Sequence, residues 1–142
     1  SKPPACLTAH LRNATSILKR IISFSMHPNS FKRLGSTLAW NSIYTLYRES
    51  ETLIDVYTLQ LLYVFVESLA IAQGDDPSLG TQQQAVGALS HVQRIIKEKP
   101  QVFVKETSKR HRPPSWTEAT LDVAVRWLLR QCGRIETESR RK

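Results

Sequence analysis

Residues 53–72 read LIDVYTLQLLYVFVESLAIA, and how this stretch is interpreted decides the fold. It is the most apolar part of the chain and long enough to cross a bilayer. Yet Asp55, Gln60, Glu67 and Ser68 interrupt it. A carboxylate in mid-span costs several kcal/mol on insertion scales, about 2.5 to 3.5 for Asp at the helix centre. The stretch therefore reads as a soluble helix that is apolar on nearly every face, which means a helix packed between neighbours. Its start is expected near Glu49-Ser50-Glu51, where acids at a first turn suit the helix dipole. Its end is expected near Gln73, before the turn-forming run Gly74-Asp75-Asp76-Pro77-Ser78.

Working outward, the neighbours are helices too. Leu11, Ala14, Leu18, Ile21 and Ile22 recur at steps of three and four and predict a helix from about Thr8 to Met26. His27-Pro28-Asn29-Ser30 stops it, since the residue before Pro avoids the α region and Asn or Ser can cap the next helix. Phe31, Leu34, Leu38, Ala39, Ile43 and Leu46 then predict a second buried stripe. On the far side of the apolar stretch, Val86, Leu89, Val92, Ile95 and Ile96 predict a fourth helix from about Thr81 to Lys97. Ser115-Trp116-Thr117-Glu118 has the form of a capping box opening a fifth. That helix is expected to reach Cys132, with Leu121, Val125, Leu128 and Leu129 buried and Gly133 as its C′ residue. A sixth would begin near Ile135.

Between the fourth and fifth helices lies a stretch from Glu98 to Pro114 with Pro100, Pro113 and Pro114 and many basic residues. A loop of that length is usually functional or disordered in a compact domain. Val102-Phe103-Val104 could dock it locally. The organisation expected is thus helical repeat units over residues 1–97, a basic Pro-containing loop over 98–114, and a further helix with the start of the next over 115–142. Short connections make neighbours antiparallel. The fold class is all-α, and helix pairs around a central helix apolar all round suit a HEAT-like α-solenoid, as a fragment of a larger array. A closed bundle is the alternative.

Composition narrows the function. The chain has 142 residues, a net charge of +8 and ordinary apolar and charged fractions, which excludes disorder throughout and low-complexity architectures. Cys6 and Cys132 cannot build a disulfide framework, so a reducing compartment is expected. The absence of an initiator Met reads as a piece of a longer polypeptide. His10, His27, His91 and His111 stand in separate elements and form no metal-ligand spacing. His91 reads as a partly buried helix residue, and Asp75-Asp76 as caps. The scattered glycines spell no phosphate loop, and no kinase catalytic motif occurs. No catalytic, cofactor or metal residues are expected in the segment.

Electropositive surface remains. Residues 1–48 hold seven Lys/Arg and no acid, 49–93 six acids and no Lys/Arg, and 94–142 thirteen basic and six acidic residues. Such blocks mark faces that attract different partners or each other. The candidate DNA or partner contacts are Lys19, Arg20, Lys32 and Arg33, which an αα-hairpin could bring to one end, and Lys105, Lys109, Arg110 and Arg112 in the loop. Clusters of this kind bind phosphates through counterion release. Thr107 and Ser108 beside the basic run read as ordinary loop residues.

The string Ser23-Phe24-Ser25-Met26-His27-Pro28-Asn29-Ser30-Phe31-Lys32-Arg33-Leu34-Gly35 is less generic. With Glu67 to Ala72, Ser78-Leu79-Gly80-Thr81, Arg94 to Lys97, and Trp127-Leu128-Leu129 through Cys132-Gly133-Arg134, it resembles the N-terminal helical-repeat region of the phosphatidylinositol-3-kinase-related kinase family. The resemblance covers nearly the whole chain and is weakest at Ser1–Ala9, Ser50–Thr58 and Pro100–Pro114. It implies a large nuclear serine/threonine kinase recruited by the Ku heterodimer to double-stranded DNA ends, for repair by non-homologous end joining. It places ATP and Mg in a kinase domain outside this segment. To the segment it assigns an architectural role, with adjacent helical repeats of the same chain as its neighbours and no membrane partner. The alternative is a free-standing helical protein-interaction module with no kinase connection.

Overall fold

The computed structural model describes residues 5–103, 105, 110–118 and 120–141, with side chains from Arg12 onward. Among the described residues there are no strands. The helices are α1 (Ala5–Ser25), α2 (Ser30–Tyr47), α3 (Glu51–Ala72), α4 (Thr81–Glu98) and α5 (Leu121–Arg140), with 3-10 turns at Pro77–Leu79 and Pro100–Phe103. The short connections make α1 to α4 successive antiparallel neighbours. α1 packs on α2 and α3, α2 on α4, and α3 on α4, while α5 joins chiefly through α3. The result is a two-layer stack with α1, α3 and α5 in one layer and α2 and α4 in the other. This arrangement of packed helix pairs is that of an all-α helical-repeat fragment.

α3 has neighbours on every side, which is why it carries almost no polar face. Leu53, Ile54, Leu59, Leu61, Val64 and Phe65 are all buried. α3 is also the one helix among the described residues long and apolar enough to cross a membrane by length and composition. Here that apolar surface is taken up by the other helices. The centre of the core is Trp40, fully buried on α2, with Tyr47 at 4.9 Å and Phe65 at 5.7 Å between ring centroids. Its indole N–H donates to the carbonyl of Ala88 on α4 at 3.2 Å. Tyr47 in turn shares a 2.7 Å hydrogen bond with Thr58 on α3, and burial holds its phenol well above the usual range.

Local signals place most boundaries. Asn29 caps α2, its carboxamide oxygen accepting from the amides of Phe31 and Lys32 at 2.9 and 3.2 Å. Ser50 caps α3 through the amide of Leu53. Asp76 caps the first 3-10 turn, and the Ser78 amide holds its carboxyl below the usual carboxylate range. Gly80 then takes φ 79°, a left-handed conformation that suits glycine, and opens α4.

Two expectations fail. α5 begins not at the Ser115 box but at Leu121, with Thr120 accepting from the amide of Val123 at 3.2 Å. The cause is Trp116, which turns inward to meet Trp127 at 5.8 Å and holds residues 113–118 in an irregular loop, its amide bonded to the Pro113 carbonyl. Nor does α5 stop at Gly133: it continues to Arg140, so no helix starts at Ile135. Helical backbone continues through Gly133 and is tied down beyond it by Thr137 donating to the Gly133 carbonyl and by an Arg140–Glu136 pair one turn apart.

Several apolar stripes also face the wrong way. On α2, Phe31, Leu38 and Leu46 are exposed, Leu46 at 75%, because the aromatic face of Trp40, Tyr44 and Tyr47 takes the core. On α5, Leu121, Val125 and Leu129 are exposed while Ala124 and Trp127 are buried.

Candidate nucleic-acid and partner interface

The seven candidate cations among the described residues fall at two opposite ends of the stack. The α1–α2 turn and the α3–α4 turn lie at one end, joined by Arg33 and Asp75. The basic loop leaves α4 at the other end and docks on the first half of α3. Along α3 the two ends are separated by about 25 Å, taking Asp55 to Ala72 at 1.5 Å per residue. A single continuous basic patch is therefore not formed.

At the first end, Lys19, Arg20 and Lys32 are exposed. Arg20 and Lys32 border a groove of about 370 Å³ between α1 and α2, whose walls are Ile17, Ile21, Phe24, Gly35 and Ala39. Lys32 lies with its ammonium 5.6 Å from the centre of the Phe24 ring, a cation–π contact. Arg20 on α1 and Lys32 on α2 thus share one groove.

Arg33 is the exception and corrects the sequence reading. It is 2% exposed. Its two terminal nitrogens donate to both oxygens of Asp75 at 2.6 and 2.8 Å, and its Nε donates to the His27 carbonyl at 2.7 Å. Asp75 also accepts from the Thr81 hydroxyl at 2.8 Å. The planar fork of arginine matches a carboxylate in this bidentate geometry. Arg33 is thus a strut between two turns, buried with its charge answered by Asp75 and not presented to solvent. The pattern of Arg33 directly after a cap gives no sign of this, because its partner lies 42 residues away.

At the other end, the loop is anchored rather than loose. Val102 and Phe103 are buried beneath it, as are Pro113 and Trp116. Lys105 donates to Asp55 at 2.8 Å, and this bond raises its affinity for a proton. His111 meets Gln60 at 3.4 Å. Asp55 and Gln60, the polar interruptions of the apolar helix, are the docking points for the loop. Their appearance in an otherwise apolar run was the available signal. Lys105 is accordingly engaged within the chain. Arg110 and Arg112 remain on the exposed side, Arg112 with its Nε donating to the Trp116 carbonyl at 3.2 Å. Lys109, Val104, Thr107 and Ser108 lie outside the described residues.

Along α5 the charges pair within the chain. Arg126 pairs with Asp122, Arg140 with Glu136, and Arg134 reaches Glu67 on α3 at 2.7 Å. His91 is half-buried against Tyr44, ring centroids 4.1 Å apart, as its helix position suggests. Among the described residues no group of three or more His, Cys, Asp or Glu is placed to hold a metal ion. A second, larger groove of about 580 Å³ opens between α3, α4 and α5, walled by Leu62, Val66, Leu89, Val125 and Leu128. It is apolar and bordered by Gln93, Gln131 and Lys97.

The family described as DNA-dependent protein kinase catalytic subunit, CC1/2, matches residues 4–142. The chain is 46% identical over 133 residues to the DNA-dependent protein kinase catalytic subunit of Gallus gallus and 45% over 134 residues to that of Canis lupus familiaris. Each match takes in 92% of this chain and 3% of the relative. The Dictyostelium discoideum protein of the same name is 26% identical over 152 residues, 88% of this chain and 4% of the relative. The chain therefore spans a few hundredths of the length of these relatives.

Proposed function

The chain belongs to the CC1/2 family of the DNA-dependent protein kinase catalytic subunit, and from that premise we propose that it is a non-catalytic helical-repeat scaffold segment of a large DNA-repair serine/threonine kinase. The parent acts in the nucleus, is recruited by Ku to double-strand breaks, and serves non-homologous end joining. ATP and Mg belong to its kinase domain, outside this segment. Here the helices hold their neighbours in register and present basic surface.

The observation that carries the reading is the anchored loop. Lys105 on Asp55 and His111 on Gln60 tie two points of the loop to α3, so Arg110 and Arg112, exposed on either side of His111, flank a docked residue. Pre-ordered cations lose less entropy on meeting a phosphate backbone than mobile ones do. The loop end is thus the DNA-facing end, while the α1–α2 end, with its apolar groove, is a protein-facing one. The free-standing module draws support from the exposed apolar stripes, but a match to 92% of this chain at 46% identity favours the kinase segment.

The test is duplex-DNA binding by the full-length kinase with Lys105, Lys109, Arg110 and Arg112 changed to Ala, across a salt series. Loss of contacts lowers the slope of log K against log salt by about 0.9 per phosphate no longer neutralised. An unchanged slope and affinity would sink the DNA-facing assignment and leave the segment as scaffold alone.

A further inference from the structure

The groove between α1 and α2 combines three features that a phosphate backbone does not need together. Its walls are apolar, with Ile17 and Phe24 partly in water and Ile21 buried behind them. Its floor is low, because a Cβ at Gly35 would meet nothing within 4 Å and Ala39 follows one turn later. Its rim is cationic through Arg20 and Lys32, with Lys19 alongside. No acid occurs anywhere in residues 1–48 to answer them; of the two carboxylates in the α3–α4 turn at this end, Asp75 is engaged by Arg33 and Thr81 and Asp76 by the Ser78 amide.

We propose that this groove seats an amphipathic helix with acidic flanks, contributed by another stretch of the same polypeptide. Resting on the scaffold reading, this names the chemistry of the neighbour. A duplex lying on Arg20 and Lys32 would leave Ile17 and Phe24 against water or sugar. A helix instead places an i, i+3, i+4, i+7 apolar row into the groove, and its Asp or Glu residues meet the two rim cations. The low floor at Gly35 and Ala39 lets its backbone come close. Charge complementarity fixes its register and rejects basic helices. The chain is 3% of its relatives' length, so nearly all of such a polypeptide lies outside it and is held at high effective concentration. The chain's own residues 49–93, six acids without a Lys or Arg, are of the complementary kind.

The experiment places photoreactive p-benzoylphenylalanine at Ile17, half-exposed on the groove wall, in the full-length kinase, and maps the cross-linked peptide by mass spectrometry. The expected product is an internal cross-link to a helix with acidic residues flanking an apolar row. Arg20→Glu with Lys32→Glu lowers its yield about five-fold or more, and the milder Arg20→Gln with Lys32→Gln falls between. Hydrogen exchange of α1 and α2 confirms that the Gln variant stays folded. A cross-link to DNA, to a partner protein, or to an uncharged or basic helix would overturn the proposal. So would no cross-link, or a yield indifferent to the rim charges. The salt slope for DNA binding is read on the same preparations: a normal loop-dependent slope with a failed cross-link removes this proposal alone.

Discussion

Helices α1 to α4 bury a shared central core in one another, although Leu46 and the α1–α2 groove stay open, while α5 buries little of its stripe beyond Ala124 and Trp127. In the four-helix part, aromatic side chains from α2 lock into α3 and reach the α4 backbone through Trp40, and Arg33 ties the two turns at one end. α5 is held by Ala124 and Trp127, by Tyr63 on α3 at 5.9 Å from the Trp127 ring, and by the Arg134–Glu67 pair. Its Leu129 is 66% exposed. The difference teaches that an apolar stripe states a demand for burial without stating which neighbour meets it. Closure in the first part comes from layer partners on both sides. α5 has a partner in its own layer but none beside it in the second, and the 580 Å³ groove is the consequence.

This contrast can be broken or sharpened by substitutions in the full-length kinase, read by peptide-resolved hydrogen exchange. Trp40→Ala has the largest expected effect, about 3–5 kcal/mol, because it opens a cavity and strips the Ala88 carbonyl of its donor. Exchange should rise in α2, α3 and α4 together. Arg33→Ala is expected to cost about 3 kcal/mol, since it leaves the Asp75 carboxylate largely buried without its partner. Replacing both, as Arg33→Met with Asp75→Leu, should cost less than the single change, and an equal or greater loss would argue that the strut is more than an ion pair. Trp127→Ala should cost about 3 kcal/mol, because it removes the buried ring that Tyr63 and Trp116 pack against. Its effect should stay in α5 and the loop. If α1 and α2 also loosen, the two parts are one cooperative unit and the comparison fails.

Two smaller effects go in opposite directions. Gly133→Ala should stabilise α5 by about 0.5–1 kcal/mol, because the position is helical and a Cβ there meets nothing within 4 Å. A loss would restore Gly133 to the helix-terminating role its sequence context suggests. His91 gives the smallest effect. Burial, aided by the nearby Arg94, pushes its pKa below the ordinary 6.5. The unfolded state then binds more protons as pH falls, so stability is full above about pH 6.5 and declines below it. His91→Gln should flatten that decline in α4 between pH 7 and pH 5.

How much of this was readable beforehand depends on range. The cap before α2, the turn run after Gln73 and the all-round burial of α3 rest on residues within one or two turns of each other, and these were legible. The α5 start was not, because Trp116 is drawn inward by Trp127, and a tertiary contact outweighs a local box worth about 1 kcal/mol. The α2 stripe misled because the helix has two apolar faces, and the aromatic one buries more area. For the site, Lys19, Arg20 and Lys32 are exposed near the α1–α2 turn, whose short connection was readable. The loss of Arg33 to Asp75, and of Lys105 to Asp55, depended on pairings 42 and 50 residues apart that no local pattern encodes.

The central claim is that the two basic ends do different work, the loop end meeting DNA and the α1–α2 end meeting protein. One salt series tests it: duplex-DNA affinity of the full-length kinase with Arg110 and Arg112 changed to Ala, beside the same protein with Arg20 and Lys32 changed to Gln. The account predicts a slope reduced by about one to two units for the first and an unchanged slope for the second. The reverse pattern, or an equal reduction in both, would contradict it.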